Sequence, residues 1–177
     1  MKKQSILFML CVFFLISGCQ SAGVAGKPQH NEDFIGFATD IDLENNKVLI
    51  NDVWFSFDKQ TEFKSDKKKS LHRKDLTIGQ KVKVKFDGAS SESFPASAAA
   101  HQFILLTDEQ SKKQGNAVEL VVKDPRFSQV VMQSMEKNPT GMYSLRFKDL
   151  SLNRDVHVLV NIDDKRVIVP ISTSVNE

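Results

Sequence analysis

The feature that most restricts the fold of this chain is a two-residue alternation of apolar and polar side chains that recurs along most of its length. Ile35, Phe37, Thr39 and Ile41 alternate with Gly36, Ala38, Asp40 and Asp42, and Val53, Phe55 and Phe57 form a second row. Val82, Val84 and Phe86 form a third, against Lys81, Lys83 and Lys85; Tyr143, Leu145 and Phe147, then Val156, Val158, Val160 and Ile162, add two more. Successive side chains of a strand point to opposite faces, so each row predicts a strand with one face buried. Glu44-Asn45-Asn46, Asn51-Asp52, Asn153-Arg154 and Asp163-Asp164-Lys165 separate rows with turn chemistry. The chain therefore reads as mainly β and antiparallel.

One stretch departs from this pattern. Val118, Leu120 and Val122 predict a strand, and Asp124-Pro125 then fits an N-cap followed by proline at the first helical position. Phe127, Val130, Val131 and Met135 fall on one helical face, and Lys137-Asn138-Pro139 supplies a stop. Residues 116–173 are thus expected as an α+β unit of strand, helix and three strands, with the helix laid on one sheet face. The polar segment 108–115 is expected as a linker, and residues 34–107 as a separate β unit.

Within that first unit, Lys64, Lys67, Lys68, Lys69, Arg73 and Lys74 are offset only by Asp66, and the stretch lacks apolar periodicity, so it reads as a loop. Lys81, Lys83 and Lys85 point outward from their strand. Two uses are open to these cations. They are a solvated loop and an edge strand protected against pairing, or one patch that meets anionic polymer or lipid. Trp54 falls on the face opposite the Val53–Phe57 row, and serves either as an interface with the second unit or as a ligand platform beside Phe94. Ala100 to Leu106 is expected as the last strand of the unit, apolar on both faces.

Ahead of all this, Lys2 and Lys3 precede eleven apolar residues, Ile6 to Ile16. A bilayer-spanning helix needs about 20. Basic then apolar is the order of a secretory signal. Its end, Ile16-Ser17-Gly18-Cys19, resembles the lipobox of bacterial lipoproteins. That resemblance implies cleavage between Gly18 and Cys19, removal of residues 1–18, a diacylglyceryl group on Cys19 and a place on the outer face of the cell membrane; an ordinary secretory signal is the alternative. Residues 19–33 would then be a tether reaching about 20 Å as a flexible coil. The formal net charge of +2 is that of Lys2 and Lys3, so the remainder is neutral. No long-range attraction to nucleic acid is expected. With that processing both cysteines, Cys11 and Cys19, are consumed as well, which would exclude a thiol nucleophile or a cysteine-bound metal.

Gly36, Val53-Trp54-Phe55-Ser56, Leu76-Thr77-Ile78-Gly79-Gln80-Lys81-Val82-Lys83-Val84 and Glu92-Ser93-Phe94-Pro95-Ala96 occur in an order that resembles a family of small uncharacterised domains in Gram-positive lipoproteins and secreted proteins. The resemblance covers residues 34–107 and implies a five-stranded barrel similar to an OB-fold. The family more often has Tyr where this chain has Phe94 and Gln where it has Ser97. Such barrels host many unrelated functions, so shape alone is implied.

No Gly-rich phosphate loop, zinc spacing, calcium loop or Gly-x-Ser-x-Gly elbow occurs, and His30, His72, His101 and His157 are scattered. No catalytic residue, metal ligand or cofactor is therefore expected. The expectation is a lipid-anchored binding module, its candidate surface being Trp54, Phe94, Lys67, Lys68, Lys69, Lys81, Lys83 and Lys85. Its expected partners are the membrane, through Cys19, and an anionic cell-wall polymer or a surface protein. The alternative is a surface enzyme with a site where the two units meet. Asp163 and Asp164 do not supply that site, because neighbours in a hairpin turn point apart.

Overall fold

The computed structural model describes residues 32–88 and 93–170. The leader, Cys19, His30 and the tether as far as Asn31 lie outside the described residues, as does Glu92. Strands β1 (Glu32–Asp42), β2 (Lys47–Ile50), β3 (Val53–Ser56), β4 (Glu62–Ser65), β5 (Lys81–Phe86) and β6 (Ala96–Leu105) are followed by helix α1 (Glu109–Val122). Strands β7 (Val130–Lys137), β8 (Tyr143–Asp149), β9 (Arg154–Asn161) and β10 (Arg166–Ile168) complete the fold. It is mainly β, with one α-helix among the described residues, as the alternation predicts.

Five strands close a barrel. Their order is β3-β2-β1-β5-β6, and β3 pairs in parallel with β6 to seal it, which is OB-fold connectivity. Phe55, Phe103, Ile50, Val48, Val82 and Val84 fill the interior. Each such side chain contributes roughly 1.5–3 kcal/mol by leaving water. Strand β6 is longer than expected and serves twice: Ala96–Ala99 pair with β3, and Gln102–Leu105 pair with β4. Strand β4 thus resumes the line of β3 after a break at residues 57–61, where Asp58 accepts backbone hydrogen bonds from Gln60 at 2.8 Å and Thr61 at 3.0 Å.

The inward row expected in β1 is displaced. Ile35 is 52% exposed, Phe37 belongs to the core of the second unit, and Ala38 faces the barrel interior. A bulge between Ala38 and Asp40 shifts the phase, so that Ile41 packs against the barrel core again.

In the second unit, the order is helix first and then four antiparallel strands, β10-β9-β8-β7. Residues 109–115, expected as linker, are the first turns of α1, and Val118, Leu120 and Val122, expected as a strand, are its last turns. Asp108 caps the helix, accepting from Ser111 N at 2.9 Å and from Ser111 Oγ at 2.6 Å. Phe127, Val130, Val131 and Met135, expected on a helix after Asp124-Pro125, instead include the start of strand β7. Proline there follows a helix rather than opening one. Ala117, Val118 and Val121 pack with Leu145, Phe147, Val158 and Val160 on the inner sheet face, and Phe37 reaches into this core from the barrel.

Helix α1 and strand β7 rest on β1, β2 and β5. The approach of α1 is close enough that a Cβ on Gly115 would lie 2.6 Å from the carbonyl oxygen of Gly79. Gly79 itself has φ +85°, a left-handed conformation that favours glycine.

Candidate functional site

The basic stretch Lys64 to Lys74 is mostly turn and loop, as expected, but it folds back as a hairpin that continues β4: Lys64 and Ser70 form a bridge, and Leu71 N donates to Phe63 O at 2.9 Å. At the tip, Ser65 N donates to Lys69 O and Lys68 N to Ser65 O, each at 2.9 Å, with Lys68 in the left-handed region at φ 60°. Asp66 ties this tip to the end of β6. Its carboxylate accepts from Thr107 Oγ1 at 2.6 Å and Thr107 N at 3.1 Å. These bonds, the hydroxyl first and then the backbone N–H, hold the Asp66 carboxyl below the usual carboxylate range. Lys67, Lys68 and Lys69 are therefore presented to solvent from a braced turn.

The hairpin forms one wall of an open groove of about 890 Å³ at the end of the barrel. Lys64, Lys68, Arg73 and Lys74 line it together with His72, over apolar contributions from Leu43, Phe63 and Leu71. Phe63 is held from below by stacking on Phe103, with ring centroids 4.9 Å apart and planes 7° apart. The turn Arg73–Asp75 is 3₁₀-helical, and Arg73 Nη1 donates to Asn46 Oδ1 at 2.7 Å, joining the groove's far wall to the β1–β2 turn. Asp58 and Glu62 are the carboxylates of the lining. Asp58 accepts from the Gln60–Thr61 turn, which lowers its carboxyl below the usual range, and Glu62 accepts from Gln102 and pairs at 3.9 Å with Lys64, itself a lining cation.

The structure separates the lysines that the sequence offered either as one positive patch or as a solvated loop and a protected edge strand. Strand β5 is not an edge, because β1 and β6 flank it, so Lys81, Lys83 and Lys85 do not guard a free edge. Lys83 forms an ion pair with Asp33, and Lys81 Nζ donates to Gln114 Oε1 at 2.8 Å while lying 5.6 Å from the Phe37 ring centroid. Lys81 thus belongs to the junction between the units. The hairpin tip and groove gather a second basic surface, where Lys64, His72, Arg73 and Lys74 join Lys67–Lys69.

Trp54 lies in register between Leu49 and Ser97, with Lys47 Nζ 4.6 Å from its ring centroid. Its strand β3 is outside the seam of β1, β2 and β5 on which the second unit rests. Phe94 is 55% exposed. Neither lines the basic groove.

The junction of the two units has a pocket of about 260 Å³ whose polar lining includes Lys81, Ser111, Lys112, Asn116 and Glu119. Four of these are committed locally: Lys81 to Gln114, Ser111 to Asp108, Lys112 to Glu109 and Glu119 to Lys123. On the outer sheet face, His157, one of the scattered histidines, has Nε2 2.9 Å from Ser144 Oγ. Its direct cross-strand neighbour is Arg146, a cation where a catalytic histidine has an orienting carboxylate. Asp163 and Asp164 occupy a turn in which Asn161 Oδ1 accepts from both backbone N–H groups. Among the described residues, no group of three or more His, Cys, Asp or Glu could hold a metal ion, and no helix is long and apolar enough to cross a membrane.

Residues 38–106 match a family described as a protein of unknown function (DUF3221), and these residues are the barrel from mid-β1 to just past β6. Comparisons with curated proteins and with solved structures return no match.

Proposed function

We propose that this protein is a lipid-anchored, extracytoplasmic and non-catalytic binding module, held to the membrane through Cys19 and engaging an anionic surface with the β4 hairpin. The observation that carries the binding part is the braced tip, in which three consecutive lysines are exposed while Asp66 faces away toward Thr107. Fixing the backbone beforehand removes part of the ordering cost of binding. Each lysine near an anionic membrane contributes about 1 kcal/mol. The anchor rests on the Ile16–Cys19 resemblance, and two acyl chains suffice for stable attachment.

The test has two arms. In cells, the native chain is expected to incorporate labelled fatty acid and Cys19→Ala to incorporate none; a native chain that takes up no label removes the lipid anchor. In vitro, a chain of residues 20–177 is expected to co-sediment with vesicles containing phosphatidylglycerol at low salt. Changing Lys67, Lys68 and Lys69 to Ala should abolish this. Undiminished binding by the variant excludes the hairpin.

A further inference from the structure

We infer that the groove behind the hairpin is a site for a flexible linear polyanion, such as a phosphodiester or polyphosphate chain, and is distinct from the hairpin tip that faces a flat surface. The inference deepens the proposed function and rests on its binding reading. The two sets of cations differ in shape as well as position. Lys67 and Lys69 project from a convex turn, which is the geometry that a planar bilayer can touch. Lys64, Lys68, Arg73 and Lys74 instead line a concavity, where charge of one sign between low-dielectric walls concentrates the field. A bilayer cannot enter a groove of this kind, whereas a single extended chain can.

Charge and chemistry both support this occupant. Four cations line the groove against two carboxylates, Asp58, which accepts from Thr61, and Glu62, which accepts from Gln102, so two cations stand in excess. The excess is positive whatever the state of His72. Arg73 is braced on Asn46, so one face of its guanidinium is positioned in advance. Leu43, 40% exposed, and the half-buried Phe63 and Leu71 give an apolar floor that a chain of bare small ions would not use. A phosphodiester polymer whose anionic groups are linked by less polar segments uses both parts, and inorganic polyphosphate, which lacks such segments, uses the cationic part alone. The groove is open to solvent, which suits a chain that passes through and does not suit a small molecule that must be enclosed.

The chain of residues 20–177 is titrated with long-chain inorganic polyphosphate and, separately, with phosphatidylglycerol vesicles. The proteins compared are the native sequence, a groove variant (Lys64→Gln, Lys74→Gln) that leaves the Arg73–Asn46 bond in place, and a tip variant (Lys67→Gln, Lys69→Gln). Trp54 emission confirms the barrel in each. The groove variant is expected to lose at least about tenfold in polyphosphate affinity while keeping vesicle binding, and the tip variant to show the reverse. With Lys64, Lys68, Arg73 and Lys74 each displacing a counterion, log affinity should fall against log salt with a slope of about −3. Absence of polyphosphate binding at low salt, or equal losses in the two variants, overturns the groove as a site. Polyphosphate binding that depends on the groove, with no vesicle binding, upholds the groove and overturns the surface-facing role of the tip.

Discussion

The two halves of this protein solve the same problem in different ways. The barrel buries one face of its strands by closing on itself, since pairing β3 with β6 leaves its interior filled by its own side chains. The second unit is an open four-stranded sheet whose inner face is covered by α1 and by Phe37, a residue borrowed from the barrel. Its far edge, β10, is three residues long, and Arg126 donates to Val167 O at 2.8 Å along that edge. A closed sheet needs no such cover. The cations proposed for recognition lie on the barrel, while the inner face of the second unit is taken up by α1 and Phe37.

The single tryptophan and the single tyrosine make this difference measurable. Trp54 reports the barrel, and Tyr143, buried in the second core, reports the sheet. Phe37→Ala should have the largest effect. Removing a buried phenylalanine costs about 3–5 kcal/mol, so the Tyr143 signal should melt well below that of Trp54; simultaneous melting with an unchanged midpoint would show that the sheet does not depend on Phe37. Gly115→Val comes next. With 2.6 Å available to the first added carbon, α1 must move off Gly79, at a cost of about 1–3 kcal/mol. Asp108→Ala should be milder, lowering the Tyr143 midpoint by a few degrees as the helix loses its cap. A change in the Trp54 midpoint instead would place the cap's influence in the wrong unit.

The smallest effect is one of pH. The carboxyl of Asp66 is lowered from its ordinary value of 3.8 by Thr107, so its bonds favour the folded hairpin above that value. They are lost as pH falls through the lower folded value. Exchange of the amides at Asp66 and Lys68 should therefore quicken below about pH 4, and Asp66→Asn should remove that dependence. An unchanged pH profile in Asp66→Asn would assign it to other carboxylates.

The barrel was largely legible because its rows are bounded by turn residues and keep one phase for four or more positions. β1 was readable as a strand but not by face, since the bulge after Ala38 changes phase within the row. The second unit hid its helix. Eight polar or small residues, Glu109 to Asn116, precede the first buried apolar pair of α1, Ala117 and Val118, and Val118, Leu120 and Val122 imitate a strand at its end. β7 hid itself in the opposite way, its bulge between Met132 and Ser134 giving Val130, Val131 and Met135 a helical spacing. The lysines of the candidate site were visible, but their grouping was not. Separating Lys83 from Lys68 required knowing that Asp33 lies across the strand pair and that the chain turns back at Lys67. The even placement of Phe63 and Leu71 about the tip was the one sequence signal for that hairpin.

The most direct test of this division is whether residues 32–107 alone bind polyphosphate. With its fold verified by Trp54 emission and far-ultraviolet circular dichroism, the isolated barrel should match the affinity of residues 20–177 to within about twofold, because all groove cations lie within it. A folded barrel that binds at least tenfold more weakly would contradict the assignment of recognition to the barrel and place part of the site on the second unit.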